Sequence, residues 1–142
     1  MQTNIPNTHI DLFQKPVHGV LTTMMSDGMP QSSIVWVDYD GECVLINTTL
    51  ERQKGQNMQA NPKVTVLVID PRDSSRWVEV RGQVIELTRD GAESHADTLT
   101  QRYCPGKQYF YRDIYPPEQK EKETRVIARI QPIKVSMDAI FR

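Results

Sequence analysis

Arg52 and Lys54 stand where an apolar run gives way to a short helix-like segment, with the hydroxyls of Thr48 and Thr49 just before them. A helix N-terminus offers unpaired N–H groups and a partial positive charge, so two cations and two hydroxyls gathered there suit a phosphate monoester or diester. Val44-Leu45-Ile46 reads as a buried strand, Thr48 and Thr49 are N-cap candidates, and helical composition continues to Ala60 until Asn61-Pro62 stops it. A plainer reading fits the same string. Cations on exposed helices are common and residues two apart do not share a helical face, so a capped surface helix with solvated cations stays open.

Other chemistries find less support. His9, His18 and His95 have neither mutual spacing nor a Ser or Cys partner suited to nucleophilic catalysis, so structural or exposed roles are expected. Cys43 and Cys104 form no Cys-x-x-Cys pair and have no nearby cluster of His ligands, which argues against a metal centre or a disulfide scaffold. A net charge of −1 and a pI near 6.3 lack the basic excess of a nonspecific nucleic-acid binder. No segment approaches the apolar length that spans a bilayer, and Met1 to Phe13 shows no basic start followed by an apolar run. A cytoplasmic protein without membrane insertion is the expectation. Its 142 residues suit a single domain over 1–142 with a real core.

The elements that would position the cations are mostly short strands. Gly19 to Met25 reads as a strand, Asp27-Gly28 as its turn, and Gln31 to Tyr39 as a second strand; Asp40-Gly41 then turns into a third, completing a three-stranded meander. After the helix, Val64 to Asp70 is a continuous Val/Ile run typical of a buried strand, ended by Pro71. Arg76 to Thr88 alternates, placing Val78 and Val80 on one face and Trp77, Glu79 and Arg81 on the other, with Gly82 marking a bend or bulge. Asp90 to Tyr103 has a weak apolar stripe of Ala92, Ala96 and Leu99. A long loop, Cys104 to Glu123, carries Tyr109, Phe110, Tyr111 and Tyr115, which argue for at least partial docking as a site cover, surface packing or a dimer contact. A final strand runs from about Thr124 to Val135. These elements predict a mostly β fold with short helices, a six-stranded antiparallel split barrel.

The order and spacing of several strings resemble the pyridoxamine 5′-phosphate oxidase-like split-barrel flavoproteins. They are Gly28-Met29-Pro30-Gln31, Ile34-Val35-Trp36-Val37, Asn47-Thr48, Arg52-Gln53-Lys54, Asn57, Asn61-Pro62, Asp70-Pro71 and Val78-Glu79-Val80-Arg81-Gly82. Within that group the chain is most similar to the flavin/deazaflavin oxidoreductase branch, whose members use coenzyme F-420 or FMN. The resemblance implies a homodimer with each cofactor in a groove between protomers and its phosphate at Arg52 and Lys54. Gln31, Ser33, Ile34, Val35 and Trp36 would run beside the isoalloxazine or deazaflavin ring, although the last three also suit ordinary barrel core. Asn47, Thr48 and Thr49 would hold the ribityl and phosphate end, and Asn57 would extend the anion site along the helix. Trp77 and Glu79 would reach the groove from the opposite protomer, or simply form the dimer interface.

The implied activity is hydride transfer between a flavin-type cofactor and a small organic substrate, with F-420 favoured by the branch. The cofactor supplies that chemistry, so no protein nucleophile is needed, and Tyr109, Tyr111 or Glu79 are candidate proton donors. The acidic tail of F-420 would need extra cations, for which Lys63, Arg72 and Arg76 are available. Enzymes that oxidise pyridoxamine phosphate are longer and end in a further basic and aromatic segment, so that activity is not expected here. Two other readings stay open: a cofactor-binding or storage protein without turnover, and a haem-binding protein on the same scaffold.

Overall fold

The computed structural model describes residues 4–138. After a single helical turn, α1 (Asp11–Gln14), strand β1 (Gly19–Met24) and β2 (Pro30–Val35) form a hairpin, and β3 (Asp38–Tyr39) and β4 (Val44–Thr49) form another. Helix α2 (Gln53–Ala60) leads to β5 (Lys63–Ile69) and β6 (Trp77–Thr88), helix α3 (Ala92–Tyr103) follows, and β7 (Arg125–Met137) is the last described strand. All strand pairs are antiparallel, in the order β2-β1-β5-β6-β7-β4-β3.

Among the described residues the sheet has seven strands rather than six because the run Gln31 to Tyr39 breaks at Trp36-Val37. Its first part pairs with β1 at one edge of the sheet and its second with β4 at the other, so the three-stranded meander is not formed. The break also determines the overall curvature. Three residue steps from Val35 to Asp38 span at most about 11 Å, so the two edges must lie within that distance and the sheet must curl into a barrel. Helix α3 satisfies the broken backbone at Val37: the Tyr103 hydroxyl accepts from the Val37 N–H (3.0 Å) and Arg102 Nη1 donates to the Val37 carbonyl (3.4 Å), while Tyr103 also donates to the Val17 carbonyl (2.8 Å) and Arg102 Nη1 to the Asp38 carboxylate (3.1 Å).

The hairpin turns form as their chemistry requires. Gly28 and Gly41 both adopt positive φ, and Asp40 Oδ1 accepts the N–H groups of Glu42 and Cys43. Period-two burial runs through β5 and β6, where Val64, Val66, Val68, Val78 and Val80 face the core with Leu21, Ile46, Phe13 and Ile130. β5 therefore alternates, with Thr65 and Leu67 half-buried, instead of being buried throughout. Gly82 sits at a register shift between β6 and β7, where a Cβ would meet Ile130 Cγ2 at 2.6 Å and the Gln131 carbonyl at 2.8 Å.

Candidate functional site

β4 continues through Thr49, so Thr48 and Thr49 are buried strand residues and neither caps α2. Arg52 occupies the N-cap position with extended backbone and makes no side-chain cap. Its extended backbone frees it from helical spacing, which is how Arg52 and Lys54 reach the same cavity despite standing two apart. Gly55 holds α2 close to β4: a Cβ there would come within 2.0 Å of the Thr49 carbonyl oxygen. That contact places the first turn of the helix beside the end of the strand.

The cavity is about 330 Å³. Asn47 and Thr48 of β4, Arg52 and Lys54 at the start of α2, and Arg125 of β7 form its polar side. Ile34, Val35 and Trp36 form another wall with His18, and Ala96 and Leu99 of α3 meet Phe110, Ile114 and Tyr115 of the long loop. Aromatic rings run continuously along that side. Trp36 stacks on Tyr103 (centroids 5.2 Å, 10° between planes), His18 meets Tyr103 edge-on, and Phe110 meets Trp36, Tyr111 and Tyr115 edge-on.

The loop docks as the aromatics predicted. Asp113 accepts the N–H groups of Gln108 and Tyr109, Asp97 accepts that of Phe110, and Arg112 takes φ 118° to let its N–H reach the Tyr115 carbonyl. The Tyr115 hydroxyl then accepts a hydrogen bond from Arg52 Nη2 at 2.6 Å.

Among the described residues, no carboxylate lines the cavity. Among the described residues, no carboxylate pairs with Arg52 or Lys54. Burial pushes the Lys54 amine below the usual lysine range, and the nearby Arg52 guanidinium adds to the shift. Arg125 is 7% exposed and carries its own counterion, Glu123, at 3.0 Å; it also donates to Tyr111 Oη and Asn47 Oδ1. Burial raises the Glu123 carboxyl, but hydrogen bonds from Tyr111, Gln119 and Arg125 outweigh that and hold it below the usual range. The cavity therefore presents two cations that no carboxylate of the described residues neutralises, facing a largely apolar wall, an arrangement that suits a planar group joined to an anion.

Of the residues expected at a site, Ile34, Val35, Trp36, Asn47, Thr48, Arg52 and Lys54 line this cavity; Gln31, Ser33, Thr49, Asn57, Trp77 and Glu79 do not. Ile34 is 71% exposed, so it is not core. Asn57 is 5% exposed and directed inward, donating to Thr23 Oγ1 (3.0 Å) and accepting from Gln53 Nε2 (2.8 Å). It ties α2 to β1 and does not line the cavity. Gln31 Oε1, Ser33 Oγ and Thr49 Oγ1 are buried polar atoms without a hydrogen-bond partner among the described residues.

Trp77 and Glu79 lie on β6, where Glu79 pairs with Arg81 at 3.3 Å. Tyr111 hydrogen-bonds Glu123, and Tyr109 lies outside the cavity; the cavity-facing phenol is Tyr115. Arg76 is held by Asp11 and Asp70, and Lys63 lines a separate groove of about 530 Å³ with Arg81 and Ile133, so neither extends the cationic side of the cavity.

Sequence reasoning missed Arg125, His18, Ala96, Leu99 and Ile114. Arg125 had a signal: it is a cation entering an otherwise apolar strand, Arg-Val-Ile-Ala. The histidines were expected to be structural or exposed. His9 is buried against Asp138 (2.9 Å), His95 meets Asp38 (3.0 Å), and His18 is exposed at the cavity edge.

Comparison with known proteins agrees with this architecture. A solved structure named F420 reductase superposes with a TM-score of 0.78 at 34% identity, covering 93% of this chain and 98% of that one. A FAD-binding protein from Mesorhizobium loti, at 22% identity and TM-score 0.61 over 94% of each chain, shares the fold. The pyridoxine/pyridoxamine 5′-phosphate oxidase of Rhodopseudomonas palustris (strain BisA53) is 35% identical over 79 residues, 55% of this chain and 37% of that protein. The match thus spans little more than a third of that relative. Residues 5–137 match the family model described as pyridoxamine 5′-phosphate oxidase, and with a curled antiparallel sheet of the same kind the chain belongs to that family.

Proposed function

We propose that this chain is a flavin-type oxidoreductase that holds coenzyme F-420 or FMN in the cavity, with the cofactor phosphate at Arg52 and Lys54. The observation that carries this reading is the half-buried Lys54 amine, which among the described residues has no carboxylate partner and stands beside an aromatic wall. An anion at that point would relieve the repulsion between the two cations. F-420 is favoured by the similarity, over nearly the full length of both chains, to a protein named F420 reductase.

In this reading Lys54 and Arg52 bind the phosphate, and Thr48 supports the adjoining chain. Asn47 acts indirectly, because its oxygen is engaged by Arg125 and its amide nitrogen by Ala92 and His95. Ile34, Val35 and Trp36 lie beside the ring, and the exposed Ile34 marks the side on which the cavity is open. A second copy of the chain would close that side, bringing Trp77 and Glu79 of β6 to the groove. When bound, the cofactor supplies hydride transfer to or from a small organic substrate. The chain's own contribution is to bind, orient and exclude water, and Phe110 and Tyr115 keep the loop against the cavity.

The test is equilibrium titration of purified apo-protein with FMN, coenzyme F-420 and haem, followed by absorbance and fluorescence. Saturable binding of a flavin-type cofactor that is lost in the Arg52→Ala/Lys54→Ala double variant supports the proposal. Haem binding alone, or no binding, overturns it.

A further inference from the structure

A chain of hydrogen bonds runs behind the cavity wall from Glu123 to Asp38. Arg125 Nη2 donates to Glu123 Oε1 (3.0 Å) and Arg125 Nη1 to Asn47 Oδ1 (2.7 Å). Asn47 Nδ2 donates to the Ala92 carbonyl (2.8 Å) and faces His95 Nδ1 (3.1 Å), while His95 Nε2 faces Asp38 Oδ2 (3.0 Å).

Two members of this chain determine the rest. A guanidinium only donates, so the Asn47 atom opposite Arg125 is its oxygen; a peptide carbonyl only accepts, so the atom opposite Ala92 is the amide nitrogen. The second amide hydrogen then points at His95 Nδ1, which must carry a lone pair. The ring proton therefore sits on Nε2 and is donated to Asp38, an assignment made from the neighbours' chemistry.

We propose that His95 is a positioning residue for the cavity: its unprotonated Nδ1 holds the Asn47 amide in the orientation that seats Arg125. Protonation of Nδ1 would set one N–H against another. Turning the amide over relieves that clash but sets Nδ2 against Arg125 Nη1 and Oδ1 against the Ala92 carbonyl. Either arrangement leaves partly buried donors or acceptors opposed, and Arg125 loses its Asn47 contact while Glu123 and Tyr111 still hold it. The charged groups facing His95 are Asp38 of β3 at Nε2, Arg102 of α3 on the same carboxylate, and Arg125 of β7 across Asn47.

This inference rests on the cavity being an anion site, and it gives an unusual sign. A histidine acting only through its charge would strengthen anion binding as it is protonated; one acting through Asn47 weakens it.

The experiment titrates FMN into apo-protein from about pH 8 to about pH 5, with His95 ring-nitrogen resonances followed by NMR. His95→Ala removes the acceptor, whereas His95→Asn places an amide oxygen near the Nδ1 position and cannot be protonated. FMN's phosphate has its own second ionisation near ~6, which the variants share and which the comparison removes. In the wild type, affinity should fall about tenfold or more beyond that shared effect, tracking His95 protonation. His95→Ala should be weak throughout, and His95→Asn should restore neutral-pH affinity with only the shared dependence. A wild-type profile matching that of His95→Asn, affinity that rises as His95 is protonated, or a proton on Nδ1 at neutral pH would overturn the inference. If FMN does not bind at any pH, coenzyme F-420 takes its place in the same titration, and the cofactor reading fails separately only when neither binds. The ring tautomer, and movement of the Arg125 Nε–H resonance as His95 titrates, still decide the positioning role.

Discussion

Replacing Lys54 with Met should make the empty protein more stable and its ligand complex weaker. The lysine stem keeps its apolar contacts in the variant, while a half-buried charge next to Arg52 is removed. Burial, and secondarily Arg52, lowers the Lys54 pKa, so the unfolded chain binds this proton more tightly than the folded one. The charged lysine therefore opposes folding at neutral pH, an effect relieved as pH rises from the folded-state value toward the unfolded one. Because the amine is only half-buried, solvent screening limits the gain in stability to roughly 0.3–1 kcal/mol. The lost charge-assisted hydrogen bond should cost ~1.5–3 kcal/mol of cofactor binding, about 10- to 150-fold in affinity. Urea denaturation of apo-protein, read as a rise in midpoint at unchanged slope, measures the first effect, and fluorescence titration with FMN and F-420 measures the second. Undiminished affinity, or an apo-protein destabilised in step with its loss of binding, would refute the reasoning.

Other parts of the structure give sharper stability tests. Gly55→Ala sets a Cβ 2.0 Å from the Thr49 carbonyl oxygen, and forcing α2 outward should cost about 3 kcal/mol or more, seen as a lowered Tm; an unchanged Tm would show that the helix docks loosely. At Asp38, burial raises the carboxyl, but hydrogen bonds from His95 and the Tyr39 N–H together with Arg102 outweigh it and hold the pKa below the usual value. Its contribution to stability is present above the unfolded pKa of about 3.9 and is lost as pH falls through the lower folded value, so Asp38→Asn should flatten acid denaturation in that window. An unchanged acid limb would remove Asp38 from the account. Trp77→Ala should make a dimer dissociate at higher protein concentration in analytical ultracentrifugation, and an unaltered dissociation constant would make Trp77 incidental.

Local chemistry made much of this fold legible. The Asp27-Gly28 and Asp40-Gly41 turns, the alternation of Val78 and Val80 against Trp77, Glu79 and Arg81, and the stop at Asn61-Pro62 all depend on neighbours in the chain. The break at Trp36-Val37 did not announce itself, because both residues are good strand formers. It is created by Tyr103 and Arg102, more than sixty residues away in sequence, as the barrel edges meet. Thr48 and Thr49 carry side chains that suit a cap equally well, but pairing of β4 with β7 through Thr49 and Arg125 keeps them in the strand. The cationic pair Arg52 and Lys54 was readable from residue types and spacing. The family resemblance added Ile34, Val35, Trp36, Asn47 and Thr48, but other lining residues were hidden: Arg125 is separated by many residues from Asn47 and Arg52, and Ala96 and Leu99 look like ordinary apolar positions until α3 is packed.

The most direct test of the central claim is a crystal structure of the protein bound to F-420 or FMN, read at the phosphate. Phosphate oxygens should lie within ~3 Å of Lys54 Nζ and the Arg52 guanidinium, with the ring along Ile34, Val35 and Trp36. A phosphate bound elsewhere, such as the groove lined by Lys63 and Arg81, would contradict it.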